Sequence, residues 1–364
     1  MSTPLAARIK AIVAATGPMS VSDYMALCLG DPTHGYYTTR DPFGASGDFV
    51  TAPEISQMFG ELVGVWSLAA YAAMGSPAAF NLVEIGPGRG TLMADLLRAA
   101  RVRPAFLDAA TVHLVETSPT LREIQVRRLA AHQPLWHEGV DTLPDGPSIV
   151  IANEFFDALP IRQLVRTADG WRERVIGLDA DGNLAFGAGA AGVAPDLAPP
   201  HAAGPPVGAI VEVNRAAEAI MATLASRIAA TGGALITFDY GSSRRGTGDT
   251  LQAVRAHRVV DALASPGEAD LTAHVDFAAL AGVARAAGAR VFGPRAQGHV
   301  LLDLGLLERA GMLGRDADEA GRAAIAADVA RLAGEDGMGR LFQALAVTSG
   351  FAAPGFGSDG GLAR

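Results

Sequence analysis

The chain of 364 residues predicts an α/β fold with a mostly parallel, doubly wound sheet. Three observations predict it. Short apolar runs alternate with helical stretches between Phe80 and Asn153, a rhythm that implies crossover-connected parallel strands. A glycine cluster, Gly86 to Gly90, follows the first of these runs, and an acid, Glu116, ends the second. In doubly wound sheets those two places lie side by side at the carboxyl edge.

Residues 1 to 75 read as helices broken by a loop. Leu5 to Ala15 is one helical stretch, stopped by Gly17-Pro18. Ser20 is placed to cap the next, which carries Tyr24, Leu27 and Cys28 on one side. Gly30 to Pro53 is rich in Gly, Pro, Asp and Thr and reads as loop. Ile55, Met58, Phe59, Leu62, Val63 and Trp66 then recur at helical spacing.

The period changes at Phe80 to Ile85, a buried-strand signal, with a helix from Gly90 to Arg103. Thr111 to Glu116, Leu135 to His137 and Ser148 to Asn153 continue the strands, and Pro119 to Leu129 is a helix with proline at a tolerated early position. After Pro160, Arg162 to Arg166, Trp171 to Leu178 and Leu184 to Phe186 read as an antiparallel meander. Residues 187–209 read as loop and 241–272 as irregular. Ala216 to Ala230, Val275 to Ala287 and residues 301–334 read as helical. Gly233 to Tyr240, Ala289 to Phe292 and Leu341 to Thr348 read as strands, and the tail from Ala353 as frayed. The expected organisation is an N-terminal lid segment over 1–75, a first half-core over 76–160, an antiparallel insertion over 161–209, a second half-core over 210–350, and a tail over 351–364.

Composition narrows the function classes. Apolar residues make up 49% of the chain, enough for a packed core, yet no run approaches the roughly 18–20 residues of a membrane span. A net charge of −9 argues against a general nucleic-acid binder and is compatible with a cationic partner, although on this length it more simply serves solubility. With Cys28 as the single cysteine, an internal disulfide or a thiolate zinc site is excluded. His113, Glu116, His137 and Glu138 form no recognisable ligand set, so no metal is expected. Ser46 lacks the preceding strand of a nucleophile elbow. The cytoplasm is the default location. Arg8 and Lys10 before the first acid, Asp23, leave a mitochondrial transit segment as the alternative.

The chemistry-bearing segment is Glu84-Ile85-Gly86-Pro87-Gly88-Arg89-Gly90 between a strand and its helix. Glycines there let backbone amides approach a ligand closely. Dinucleotide enzymes favour G-x-G-x-x-G with a pyrophosphate on the helix N-terminus. Here the third glycine comes one residue early, and Glu84 stands two residues before the first. A carboxylate opposes a pyrophosphate but suits the ammonium end of S-adenosylmethionine. Glu116 is placed to accept ribose hydroxyls in either reading. A dinucleotide site and a turn without ligand remain open on this motif alone.

Several longer segments carry a resemblance. They are Asp31-Pro32 through Gly35-Tyr36-Tyr37, GDFVTAPEISQMFGE from Gly47 to Glu61, the glycine loop, Val115 to Ser118, and ANEFFDALP from Ala152 to Pro160. Phe238 to Gly241 and Asp270 to Phe277 complete the series. On these the chain resembles the MidA-like family, which includes a mitochondrial complex I assembly-factor methyltransferase. The resemblance implies a class I methyltransferase (Rossmann-like) sheet of seven strands with the last antiparallel, and S-adenosylmethionine as cofactor. For the mitochondrial relative it implies symmetric arginine dimethylation of a complex I subunit, and so a protein substrate. The alanine-rich stretches around 187–204 and 316–334 depart from the motifs and leave the cofactor site untouched.

On this reading Glu84, Gly86, Pro87, Gly88, Gly90, Glu116 and Asn153 are the expected cofactor residues. Thr51 and Glu54, on a loop leading into a helix, are expected to cover the cofactor, although Pro53-Glu54 is also an ordinary helix start. Glu154 and Asn153 at the end of the fourth strand are expected to orient the acceptor, with Asp157 as a second acid or a helix cap. Asp239 and Tyr240 are candidates for the acceptor side, and His274, Asp276 and His34 more naturally serve caps or core hydrogen bonds. A methyltransferase of another acceptor and a cofactor-binding assembly chaperone are the competing functions.

Overall fold

Alternating burial fixes where the sheet runs. The computed structural model describes residues 3–39, 51–193, 204–244 and 246–357. Ser46 and the Gly47-Asp48-Phe49-Val50 start of the long N-terminal motif lie outside these residues. The chain divides into two compact units.

One unit is drawn from Val50–Phe156, Ile220–Ser243 and Phe277–Arg364. Its strands are β1 (Phe80–Ile85), β2 (Ala110–Val115), β3 (Leu135–His137), β4 (Ser148–Asn153), β5 (Gly233–Ser242), β6 (Arg290–Ala296) and β7 (Phe342–Thr348). They lie in the order β6-β7-β5-β4-β1-β2-β3. β1 to β5 pair in parallel, whereas β7 runs antiparallel to both β5 and β6. This is the seven-stranded sheet with a reversed last strand that the resemblance implies. All six residues of β4 are buried, in keeping with the apolar run Ile149 to Ala152, which does not alternate.

Helices α1 (Gln57–Ala73), α2 (Thr91–Ala99) and α3 (Pro119–Arg128) belong to this unit. Met58, Phe59, Leu62 and Trp66 of α1 join Leu92 and Leu96 of α2 and Ile149 and Ile151 of β4 in one core. α1 and α2 touch through glycine: a Cβ on Gly60 would stand 2.6 Å from Cβ of Asp95, and one on Gly64 3.1 Å from Cβ of Ala99. Beside that seam, the buried Glu61 accepts both Nε and Nη2 of Arg309 at 2.6 and 2.9 Å, and Nη2 of Arg98 at 2.9 Å. The paired bonds to one carboxylate explain why the long motif ends in an acid after its glycine.

The other unit is drawn from Met1–Phe49, Asp157–Ala219 and Arg244–Asp276. Helices Pro4–Thr16 and Val21–Gly30 are capped by Thr3 and Ser20, whose side chains accept from Ala6 and Asp23 amides at 3.0 Å. They pack Leu5, Ile9, Tyr24 and Cys28 against Ile176 and Leu271. The meander forms, with strands Arg162–Thr167, Gly170–Leu178 and Leu184–Gly192, joined by Met19–Ser20 and Ile210–Val213. Two expectations need correction. Residues 187–192 are strand, not loop, because hairpin pairing to Gly170–Leu178 satisfies a backbone whose side chains carry no pattern. Likewise 241–272 contains the paired strands Gln252–Arg255, Arg258–Val260 and Asp270–Thr272. The expected loop's residues 194–203 lie outside the described ones.

Candidate active site

Strand register gathers the first components. Ile85 pairs with Val115 on one side and with Ala152 on the other. The residues that follow, Gly86, Glu116 and Asn153, therefore share the carboxyl edge of the sheet. The Gly86 amide donates to Val115 O at 3.0 Å and that of Glu116 to His137 O at 3.0 Å, so both turns are anchored to neighbouring strands.

Gly86, Gly88 and Gly90 all have positive φ, at 65°, 52° and 75°. A side chain is strained in that region, and at Gly86 a Cβ would also meet the Phe155 ring at 3.0 Å. The G-x-G-x-G spacing thus encodes three left-handed residues that bring the loop to the start of α2, whose first amides have no acceptor within the helix. One of those amides is used by Glu84: the Met93 N–H donates to its carboxylate. The other carboxylate oxygen, Oε2, is buried and has no hydrogen-bond partner among the described residues. Burial pushes the Glu84 carboxyl up to about 8, opposed by the Met93 amide and reinforced by Glu116. A buried acid with one unmet oxygen fits a cationic group.

Glu116 is buried too, and burial raises its carboxyl above the usual range despite the Ser118 amide at 2.8 Å and Gln125 Nε2 at 3.2 Å. Arg122 Nε donates to Glu116 O at 2.7 Å, so its backbone is held as well.

At the end of β4, Glu154 has φ of 49° although it is not glycine. Such strain persists only where surroundings over-determine it. Its amide donates to Phe238 O at 2.8 Å, and its Oε1 accepts from Ala52 N at 3.1 Å and Asn153 Nδ2 at 3.0 Å. Asn153 Oδ1 is buried with no partner among the described residues. Just beyond, Phe156 N donates to Asp239 Oδ2 at 3.0 Å, and Tyr240 N donates to the other oxygen at 3.0 Å. Asp239, expected on the acceptor side, is fully buried and fixes backbone.

A family model described as "Putative S-adenosyl-L-methionine-dependent methyltransferase" matches residues 62–295. The chain belongs to this methyltransferase family. It is 38% identical over 369 residues to "Protein arginine methyltransferase NDUFAF7, mitochondrial" of Danio rerio, covering 92% of this chain and 84% of that protein. The human protein of the same name is 38% identical over 332 residues, covering 84% of this chain and 74% of that protein. A crystal structure from Burkholderia thailandensis bound to S-adenosyl-homocysteine is similar with a TM-score of 0.84 and 29% identity, covering 97% of this chain and 94% of that one. S-adenosyl-L-methionine is the cofactor, and the dinucleotide alternative falls away.

The remaining expected residues of this methyltransferase fall in different places. Thr51 is buried and begins the helical turn Ala52–Ile55 without a side-chain cap bond. Glu54 accepts Thr91 Oγ1 at 2.5 Å and lies 3.7 Å from Arg89 Nη1, which ties the turn to the glycine loop and α2. Asp157 lies in the other unit, where burial, with the acids Asp270 and Asp157 beside it, holds the Tyr37 phenol well above its usual range. No helix follows Asp157, so the helix-cap reading is corrected: residues 158–161 turn into the strand Arg162–Thr167. His274 N donates to Thr250 Oγ1 at 2.9 Å, and His34 N to Asp31 Oδ1 at 3.0 Å. Among the described residues no group of three or more His, Cys, Asp or Glu is placed to hold a metal, and no helix is long and apolar enough to cross a membrane. Sequence reasoning missed Gln125, a fully buried polar residue against Glu116. Its i, i+4 spacing from Leu121 on the buried face of α3 was the available signal.

Proposed function

We propose that this methyltransferase acts on an arginine side chain of a protein, with Glu154 and Asn153 orienting the acceptor. S-adenosyl-L-methionine, when bound, supplies a methyl group on a sulfonium. In this reading Gly86, Pro87, Gly88 and Gly90 line its path with backbone, Glu84 takes its ammonium and Glu116 its ribose hydroxyls. Thr51 and Glu54 hold the turn that excludes water.

A guanidinium stays protonated at neutral pH and is a poor nucleophile. A carboxylate that clamps it draws the positive charge to the clamped nitrogens and leaves another to attack. The observation that carries the proposal is the Glu154 carboxylate, fixed on a strained backbone by Ala52 N–H and Asn153 Nδ2 at the carboxyl end of β4. The relatives' name supports arginine as the acceptor. Asp157 is carried as the second acid of the proposal.

The MidA-like resemblance extends the proposal to a respiratory complex I subunit as acceptor and to symmetric dimethylation. For location, the single cysteine favours a reducing compartment such as the cytoplasm, with the mitochondrion named for the relatives as the alternative. Proteome mass spectrometry of cells with and without this protein tests the arginine proposal. One dimethylated arginine lost with the protein is expected. Loss of a methylated lysine, or of a methylated small molecule alone, overturns it.

A further inference from the structure

One buried amide joins the glycine loop to the acid at the end of β2. Gln125 of α3 is fully buried. Its Nε2 donates to Gly88 O at 2.7 Å and to Glu116 Oε2 at 3.2 Å. Its Oε1 accepts from Trp136 Nε1 at 2.8 Å. An indole N–H can only donate, and a carbonyl and a carboxylate beside Nε2 can only accept when the acid is ionised. All three partners therefore demand the same amide orientation. Trp136, on β3, is the group that prevents the flip.

The same contacts set the Glu116 carboxylate in place. Oε1 is held by the Ser118 amide at 2.8 Å and Oε2 by Gln125, so both oxygens have a fixed direction before any ligand arrives. Because Nε2 also holds the central carbonyl of the glycine loop, the loop and the acid keep a set separation.

We infer that Gln125, locked by Trp136, is a positioning residue that aims Glu116 at the cofactor's ribose and makes the site selective for its hydroxyls. This rests on the reading of Glu116 as the ribose acceptor. A preorganised acceptor loses little entropy when it binds a diol and is left poorly satisfied by a ligand that lacks one hydroxyl.

The test uses the full chain, calorimetry, and two probes: S-adenosyl-homocysteine and its 2′-deoxyadenosine analogue. The wild type should prefer the first. Gln125→Met, close in volume but without the amide, should weaken S-adenosyl-homocysteine binding about tenfold. The deoxy analogue should be weakened less, so that the preference between probes shrinks at least about threefold. Trp136→Phe keeps Gln125 and frees its flip; it should move the preference in the same direction by less, and it decides the matter if Gln125→Met does not fold. Equal weakening of both probes in these variants means a purely structural role and overturns the inference. If the wild type discriminates, Glu116→Gln abolishes the discrimination, and both variants retain it, Gln125 fails while the Glu116 reading stands. If the wild type and Glu116→Gln treat the probes alike, the Glu116 reading falls and this inference with it.

Discussion

Oε1 of Glu154 accepts the amide of Ala52 across 3.1 Å, so the acid at the end of β4 and the turn Ala52–Ile55 are one hydrogen-bonded structure. That bond separates a scaffold role from a chemical one. In Glu154→Gln the amide oxygen still accepts from Ala52 and Asn153, whereas the negative charge is gone. Methyl transfer in an arginine-peptide assay should fall about a hundredfold, the size expected for losing charge stabilisation at a reacting centre. Binding of S-adenosyl-homocysteine should stay within about threefold, because the clamp on Ala52 survives. Unchanged transfer would remove Glu154 from the chemistry.

Cofactor binding should release a proton from Glu84. Its carboxyl, pushed up to about 8, is mostly protonated in the free protein at neutral pH. An ammonium against the unmet Oε2 favours the ionised form, so binding lowers this pKa. Affinity should rise with pH up to about 8 and then level off. Calorimetry in buffers of different ionisation enthalpy should detect about one proton released near neutrality, and none in Glu84→Gln.

The histidine pair on β2 and β3 should cost stability in acid. His113 Nδ1 lies 2.9 Å from His137 Nε2, and burial, with His137 beside it, lowers the His113 pKa from 6.5 to about 4. Between those values the unfolded chain binds the proton and the folded chain does not. Stability is therefore intact above pH 6.5 and declines as pH falls toward 4, by at most about 1.4 kcal/mol per pH unit. Glu84 contributes in the opposite sense, since its raised pKa favours the fold at low pH and that advantage is lost as pH rises toward 8. The informative measurement is the difference between wild type and His113→Gln in urea unfolding across this range. A parallel pair of curves would exclude His113 as the source.

The α1–α2 seam predicts a packing defect with a functional echo. Alanine at Gly60 would force its Cβ to 2.6 Å from Asp95, so α2 must shift. A loss of about 1–3 kcal/mol is expected for Gly60→Ala. Because α2 presents Met93 N–H to Glu84 and Thr91 Oγ1 to Glu54, S-adenosyl-homocysteine affinity should fall as well. Chemical denaturation and calorimetry check the two effects on one variant, and unaltered stability would show that the helices can part without strain.

Much of this was legible in the residues themselves. The strands Phe80–Ile85 and Ser148–Asn153 read directly because a sheet buried on both faces leaves short, mostly apolar runs with no in–out alternation. Glycines at 86, 88 and 90 read as a ligand-approach loop because few other residues tolerate positive φ there. Ser20 followed cap chemistry that needs only a neighbouring amide. The strand through residues 187–192 was not legible, since Gly and Ala carry no pattern until a partner strand satisfies their backbone.

The sequence by itself determined the order of the elements, the glycine loop and the acids at the ends of β1, β2 and β4, because each depends on a local period or a local backbone preference. Tertiary structure decided which of those acids are held and by what. Glu154 meets Ala52, Glu84 meets Met93, Glu116 meets Gln125, and Asp157 joins the unit of Tyr37 and Asp270. Side-chain partners far apart in the chain are brought together by packing, and it is burial at the sheet edge that raises the Glu84 and Glu116 carboxyls above their usual range.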